Sequence, residues 1–147
     1  MSARHFIDTN VFVYQFDHRD PRKQQIADRL IREGLVRRTA IISFQVVQEL
    51  YNAMYRRFPS VMTLQDSQQY LATVLHRLLA VPSSVGLYSE ALRIRDGYQL
   101  SWYDSLIVAA ALEAKCETLY TEDLQNGQRF GDLVIRNPFE EKLAMQL

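Results

Sequence analysis

The chain has 147 residues, 48% of them hydrophobic, with 17 lysines and arginines against 17 aspartates and glutamates and a formal net charge of zero. That length suits one domain with a single core, and no apolar run approaches the roughly 20 residues that span a bilayer. The single cysteine, Cys116, excludes an intramolecular disulfide and a cysteine-built zinc cage, and the charge balance lacks the overall basic excess common in nucleic-acid binders.

Met1-Ser2-Ala3-Arg4-His5 leads directly into a strand-like segment, with no apolar stretch of signal-peptide length. A reducing, cytoplasmic setting is therefore expected. Phe6-Ile7 reads as a short buried strand ending at Asp8-Thr9-Asn10. Asp20-Pro21 starts a helix, with Asp as N-cap and Pro in the first turn; Ile26, Leu30 and Ile31 mark its apolar face and Gly34 is its expected stop. Ala40-Ile41-Ile42 is a second strand, after which Ser43 can cap a helix carrying Val46, Val47, Leu50, Tyr51 and Met54 up to Phe58-Pro59.

Tyr70, Leu71, Val74, Leu75, Leu78 and Leu79 form one wide helical stripe, and Ala80-Val81-Pro82 a marginal strand. Val85 to Arg95 reads as a helix ending near Gly97, and Ser101 opens another whose Leu106, Ile107, Ala110 and Ala111 face a core. Thr118-Leu119-Tyr120 and Leu133-Val134-Ile135 are the last strands. No repeat, low-complexity tract or Gly/Ser linker divides the chain, so residues 1–147 read as one domain. Short apolar strands alternating with amphipathic helices imply an α/β fold, with a parallel sheet covered on both faces.

Four acids fall where such a sheet gathers its sites, beyond the carboxyl ends of its strands. Asp8 follows the first strand and Asp123 the Thr118 strand, while Glu49 and Asp104 sit in early turns of helices that begin at the same edge. Each alone has a structural explanation. Asp8, Thr9 or Asn10 could cap a helix from Val11 to Phe16, and Ser101-Trp102-Tyr103-Asp104 matches a capping box. Thr121-Glu122-Asp123 could be an Asx turn, and Glu49 an exposed helical residue. Jointly, four acids in one partly buried pocket would repel one another if ionised, so either several are protonated or a cation is present. Oxygen ligands without His or Cys favour a hard ion such as Mg²⁺ or Mn²⁺, which can activate water and stabilise charge on a phosphate. His5, His18 and His76 show no ligand spacing. The arginines of Arg29/Arg32, Arg37-Arg38, Arg56-Arg57 and Arg93/Arg95 read as solvated helix faces.

The ordered set of motifs resembles the PIN-domain family. Phe6-Ile7-Asp8-Thr9-Asn10-Val11 is similar to its opening motif, and Ser43–Leu50 (SFQVVQEL) to the second, which leads to the acid Glu49. Tyr103–Ala111 resembles the third, where Asp104 opens an alanine-rich helix, and Leu119–Leu124 the fourth, in which Thr121 precedes Asp123 by two. Leu133–Phe139 resembles the final strand and tail, so the match runs from residue 6 to residue 139 with no acid missing.

The resemblance implies a three-layer sandwich of helices about a mostly parallel sheet and Mg²⁺- or Mn²⁺-dependent hydrolysis of RNA phosphodiesters. Asp8, Asp104 and Asp123 would be metal ligands, Glu49 would complete the site, and Asn10 and Thr121 would hold the carboxylates by hydrogen bonds. The small stand-alone form is similar to VapC-type toxins, which implies a homodimer inhibited by a cognate antitoxin. Two other readings stay open. One is a PIN-fold module that binds RNA or protein without cutting, with Tyr98, Trp102 and Tyr103 available for stacking. The other is a receiver-like domain, which lacks here its paired acids near the start and its late lysine.

Overall fold

The computed structural model describes residues 3–140. Strand β1 (His5–Ile7) sits at the middle of a six-stranded sheet of order β3-β2-β1-β4-β6-β5, with β2 at Ala40–Ser43, β3 at Leu79–Val81, β4 at Thr118–Tyr120, β5 at Arg129–Phe130 and β6 at Leu133–Arg136. All pairings are parallel except β5 with β6, where Phe130 faces Leu133. In β1, Phe6 and Ile7 are fully buried, as strands covered on both faces require.

The chain leaves β1 through α1 (Thr9–Gln15) and α2 (Pro21–Arg37) to reach β2, then passes α3 (Phe44–Arg57) to reach β3 at one edge. It returns through α6 (Val85–Tyr98) and α7 (Trp102–Glu113) to β4, on the other side of β1. Right-handed crossovers in opposite directions put α1, α2 and α3 on one face and α6 and α7 on the other. The result is a three-layer α/β sandwich whose strand order reverses between β1 and β4. A crevice opens at such a reversal, beyond the carboxyl ends of the two strands.

Local chemistry accounts for most boundaries. Asp20 caps α2 by accepting from the Lys23 N–H at 3.1 Å, with Pro21 in the first turn. The stop expected at Gly34 falls three residues later, and Arg38 makes the left-handed cap instead. Gly34 is buried in the helix because a Cβ there would lie 2.4 Å from Ala40 Cβ; its absence lets α2 close on β2. Likewise α6 runs through Gly97 to Tyr98, and Gln99 takes the left-handed cap.

The helix expected as one stripe from Tyr70 to Leu79 is broken up. It consists of α4 (Leu64–Tyr70), a π-helical stretch at Leu71–Leu75 and the short α5 (His76–Leu78), and Leu79 already belongs to β3. The π turn shifts the face, so Leu75 and Leu78 are buried while Leu71 and Leu79 stay exposed. Among the described residues no helix is long and apolar enough to cross a membrane.

Candidate active site

Asp8 leaves β1 at the strand-order reversal and caps α1. Its backbone N–H donates to Tyr120 O at 3.0 Å, which continues the ladder with β4 one residue past the strand. The carboxylate is 5% exposed. Oδ1 accepts from the Thr9 N–H at 2.7 Å and Oδ2 from the Thr121 hydroxyl at 2.8 Å. Both partners are dictated by sequence position: Thr9 is the next residue, and Thr121 is the first after β4, the strand paired with β1.

Thr121, fully buried, ties three site residues together. While its hydroxyl donates to Asp8, Oγ1 accepts from the Asp123 N–H at 3.1 Å and from Asn10 Nδ2 at 3.3 Å. Asn10 Nδ2 also donates to Asp123 Oδ2 at 3.0 Å, which orients that exposed carboxylate. Glu49 comes from the second turn of α3. Gln45, one turn earlier and buried, donates from Nε2 to Glu49 Oε1 at 2.9 Å and to the Tyr103 carbonyl at 3.1 Å. It therefore links the starts of α3 and α7, beside Asp104. Thr9 Oγ1 makes a longer 3.4 Å contact to Glu49 Oε1. Asp104 is half-buried in the first turn of α7, where Ser101 Oγ accepts from its N–H at 3.2 Å.

The four acids feel one another. Burial pushes the Asp8 carboxyl up to about 7, with Asp123 and Glu49 adding to the rise while the bonds from Thr121 and Thr9 oppose it. Glu49 is raised by burial and by the charges of Asp104 and Asp123, and Asp104 by burial and by Asp123. All four sequence-expected acids thus share one field, with Asn10 and Thr121 placed between them. They do not close on a point: among the described residues no group of three His, Cys, Asp or Glu is arranged to hold a metal ion as it stands. Asp8 is turned toward Thr9 and Thr121, Asp123 toward Asn10, and Glu49 toward Gln45. Of the four buried side-chain atoms without a partner among the described residues, three lie at this edge: Asn10 Oδ1, Ser43 Oγ and Gln45 Oε1. Ser43 precedes α3 without making the cap bond expected of it.

Above the acids lies an open cleft of about 920 Å³, lined by residues of α1 and α3, by the turn after β4, and by Asp17 and Arg19. Several of its groups escaped sequence reasoning. Glu122, between Thr121 and Asp123, accepts from the Tyr14 hydroxyl at 2.6 Å and from Lys23 Nζ at 2.9 Å, which turns it away from the acids. Lys23 also lies over the Tyr14 ring, 4.6 Å from its centroid. Arg56 and Arg57, expected to be merely solvated, form part of the cleft wall with Arg19. No local signal marks them, since the cleft exists only once α1 and α3 pack together. The aromatics considered for stacking lie elsewhere. Tyr98 packs edge-on to Phe130 at 4.6 Å, Trp102 lies 6.4 Å from Tyr88, and neither they nor Tyr103 line the cleft.

The α/β sandwich with its mostly parallel central sheet is consistent with the PIN fold. A family model for the PIN domain matches residues 5–128, and the chain belongs to that family. Solved structures with similar folds include a toxin–antitoxin complex from Klebsiella pneumoniae, with 18% identity, 93% of this chain and 98% of that chain covered and a TM-score of 0.64. VapBC2 from Rickettsia felis, bound to a DNA fragment from its promoter, gives 20% identity, 90% and 97% coverage and a TM-score of 0.61. The sarcin–ricin-loop-cleaving toxin VapC20 from Mycobacterium tuberculosis gives 20% identity, 81% and 89% coverage and a TM-score of 0.57. No curated protein sequence matches the chain.

Proposed function

We propose that residues 1–147 form a single PIN domain that is a divalent-cation-dependent endoribonuclease, the toxin of a toxin–antitoxin pair, working as a homodimer in the cytoplasm under the control of a cognate antitoxin. The observation that carries this reading is the buried Asp8, held by Thr9 and Thr121 at the strand-order reversal, with Glu49 and Asp123 near it and Asp104 near those two. The fold neighbours support the toxin assignment, since toxin–antitoxin complexes and a sarcin–ricin-loop-cleaving toxin have similar folds.

The donor set fits a hard cation. It offers carboxylate oxygens without thiolate or imidazole, and the acids raise one another's proton affinity, the signature of uncompensated negative charge. Asp8, Asp104, Asp123 and Glu49 would hold Mg²⁺ or Mn²⁺. Such an ion supplies activation of water and neutralisation of charge developing on a phosphate. The protein's own contribution is to hold these groups in place. Thr121 and Thr9 orient Asp8, Asn10 orients Asp123, and Gln45 orients Glu49; to meet on one ion the carboxylates would have to turn from these partners. Glu49, reaching the cleft from α3, orients the attacking water.

The test is a Mg²⁺ and Mn²⁺ titration with a mixed pool of structured RNAs, run beside Asp8→Asn and Asp104→Asn. Metal-dependent cleavage lost in both folded variants is the expected result. A folded wild type that cuts no RNA under either metal, after stripping of bound partners, would return the chain to a binding module.

A further inference from the structure

The cleft contains more charge than the four acids account for, and most of it is already paired. Arg19 is bound in a fork by Asp17, Nε to Oδ1 at 2.9 Å and Nη2 to Oδ2 at 3.1 Å, and its guanidinium lies 5.3 Å from the Phe58 ring centroid. Lys23 is paired with Glu122. With these pairs set aside, Glu49 and Asp123 remain at one end of the cleft and Arg56 and Arg57 at the other. Both arginines are exposed, and among the described residues neither enters an ion pair.

One helix face joins the two ends. Glu49, Asn52, Ala53 and Arg56 all line the cleft, and their spacing of three, four and seven residues places them in a single stripe along α3. At 1.5 Å per residue the stripe carries Arg56 about 10 Å from Glu49. That distance corresponds to about three stacked nucleotides at roughly 3.4 Å each. Asn52 offers a neutral hydrogen-bonding side chain midway, and Ala53 leaves room beside it.

We propose that Arg56 and Arg57 form a phosphate-binding wall that seats the RNA strand about three nucleotides from the carboxylates. The inference rests on the ribonuclease reading, because it takes the acids as the place where the strand is cut. It gives a chain of zero net charge a place to grip a polyanion: two arginines without ion-pair partners among the described residues stand on the cleft wall, a helix stripe away from Glu49. The wall also sets a minimum length, since an oligonucleotide too short to span the stripe leaves the arginines unused.

The experiment measures binding of fluorescein-labelled single-stranded RNAs of two and eight nucleotides, in EDTA so that nothing is cut, across a range of NaCl concentrations. Wild type is compared with Arg56→Ala/Arg57→Ala, with Arg56→Lys/Arg57→Lys, and with Arg37→Ala/Arg93→Ala, which removes the same charge outside the cleft. For the eight-mer, the cleft alanine pair should bind at least tenfold more weakly, and its slope of log K against log salt should fall by about 1.4, as two lost phosphate contacts predict. The lysine pair should keep the slope, the remote pair should behave as wild type, and the two-mer should not distinguish any of them. Equal loss in the cleft and remote pairs, or an unchanged slope in the cleft pair, overturns the wall. Polyglutamate displacing the eight-mer at matched charge would assign the arginines to an acidic protein and also overturn it. Cleavage under Mg²⁺ and Mn²⁺ is scored separately. A wild type that binds through these arginines but never cuts keeps the wall and loses the nuclease, whereas one that cuts while the cleft pair binds normally does the reverse.

Discussion

The two ends of β1 each shield an ionisable side chain from water, Asp8 nearly fully and His5 in part, and this drives both toward neutrality with opposite consequences. At the amino end, burial holds His5 down at about 4, with its ring against Tyr120 and its Nε2 close to where a Gly34 Cβ would stand. At the carboxyl end, burial lifts Asp8 to about 7. His5 Nε2 has no hydrogen-bond partner among the described residues, so the ring is packed as a neutral body. Asp8 has two donors aimed at its oxygens and further acids around it. Burial alone therefore marks nothing as functional. The distinguishing feature is a set of donors that keeps the charged form accessible near neutral pH.

Four expectations bear on that contrast. The largest is in activity: Asp8→Asn and Asp104→Asn should each lower RNA cleavage by more than the roughly 10–100-fold typical of outer hydrogen-bond partners, while His5→Gln leaves cleavage per folded molecule unchanged. Initial rates on one RNA decide this, and comparable losses at both ends of β1 would erase the distinction.

Next comes the hydroxyl that joins Asp8, Asn10 and Asp123. Thr121→Val removes a donor from Asp8 and an acceptor from two N–H groups, and a loss of about 10–100-fold is expected. Thr121→Ser should recover most of it. Equal effects of Val and Ser would mean that shape, and not the hydrogen bonds, matters there.

The amino end should respond in stability instead. Gly34→Ala places a methyl against Ala40, and overpacking of this kind costs about 1–3 kcal/mol, outweighing the roughly 1 kcal/mol that Ala gains over Gly in a helix. Urea unfolding should show the loss, with cleavage by the folded fraction intact.

The last expectation is a pair of opposing pH slopes in EDTA. His5, with its folded pKa below the ordinary 6.5, takes up a proton more readily when unfolded, so its contribution is lost as pH falls from about 6.5 to about 4. Asp8, with its folded pKa above 3.8, keeps its proton longer when folded, so stability falls as pH rises from about 4 to about 7. In the wild type the two act in opposite directions, with Glu49 and Asp104, also raised, acting in the sense of Asp8. Relative to wild type, melting temperature should therefore rise across pH 4–6.5 in Asp8→Asn and fall across the same window in His5→Gln. Parallel curves in both variants would refute the assignment of these shifts.

Much of this was legible in the chain itself. The strands at Phe6, Ala40, Thr118 and Leu133 are short apolar runs with clear boundaries, and the parallel α/β class follows from their alternation with helices. The four acids stood out because each follows a strand or opens a helix. Strand β5 was invisible, since Arg129–Phe130 is only two residues beside turn-forming glycines. Gly34 does not act as a stop, since the usual reading of glycine ignores packing and this one is there for the closeness of Ala40, whereas α6 does end beside Gly97. The break in the Tyr70–Leu79 stripe comes from a π turn, which leaves the apolar pattern intact while changing the face it presents. Glu122, Lys23 and Tyr14 lie far apart in sequence and meet only after folding.

That last cluster has a mechanical side. Glu122 is pinned by Tyr14 and Lys23 to the layer of α1 and α2, and through its immediate neighbour fixes the height of Asp123. Asp104 is carried by α7 on the opposite layer, so the gap between these two acids is set by how far apart the layers sit. The Asp104–Asp123 gap thereby works as a gauge of sandwich thickness. A methyl removed from the core between the layers, with no acid touched, would alter that gauge before it unfolded the protein.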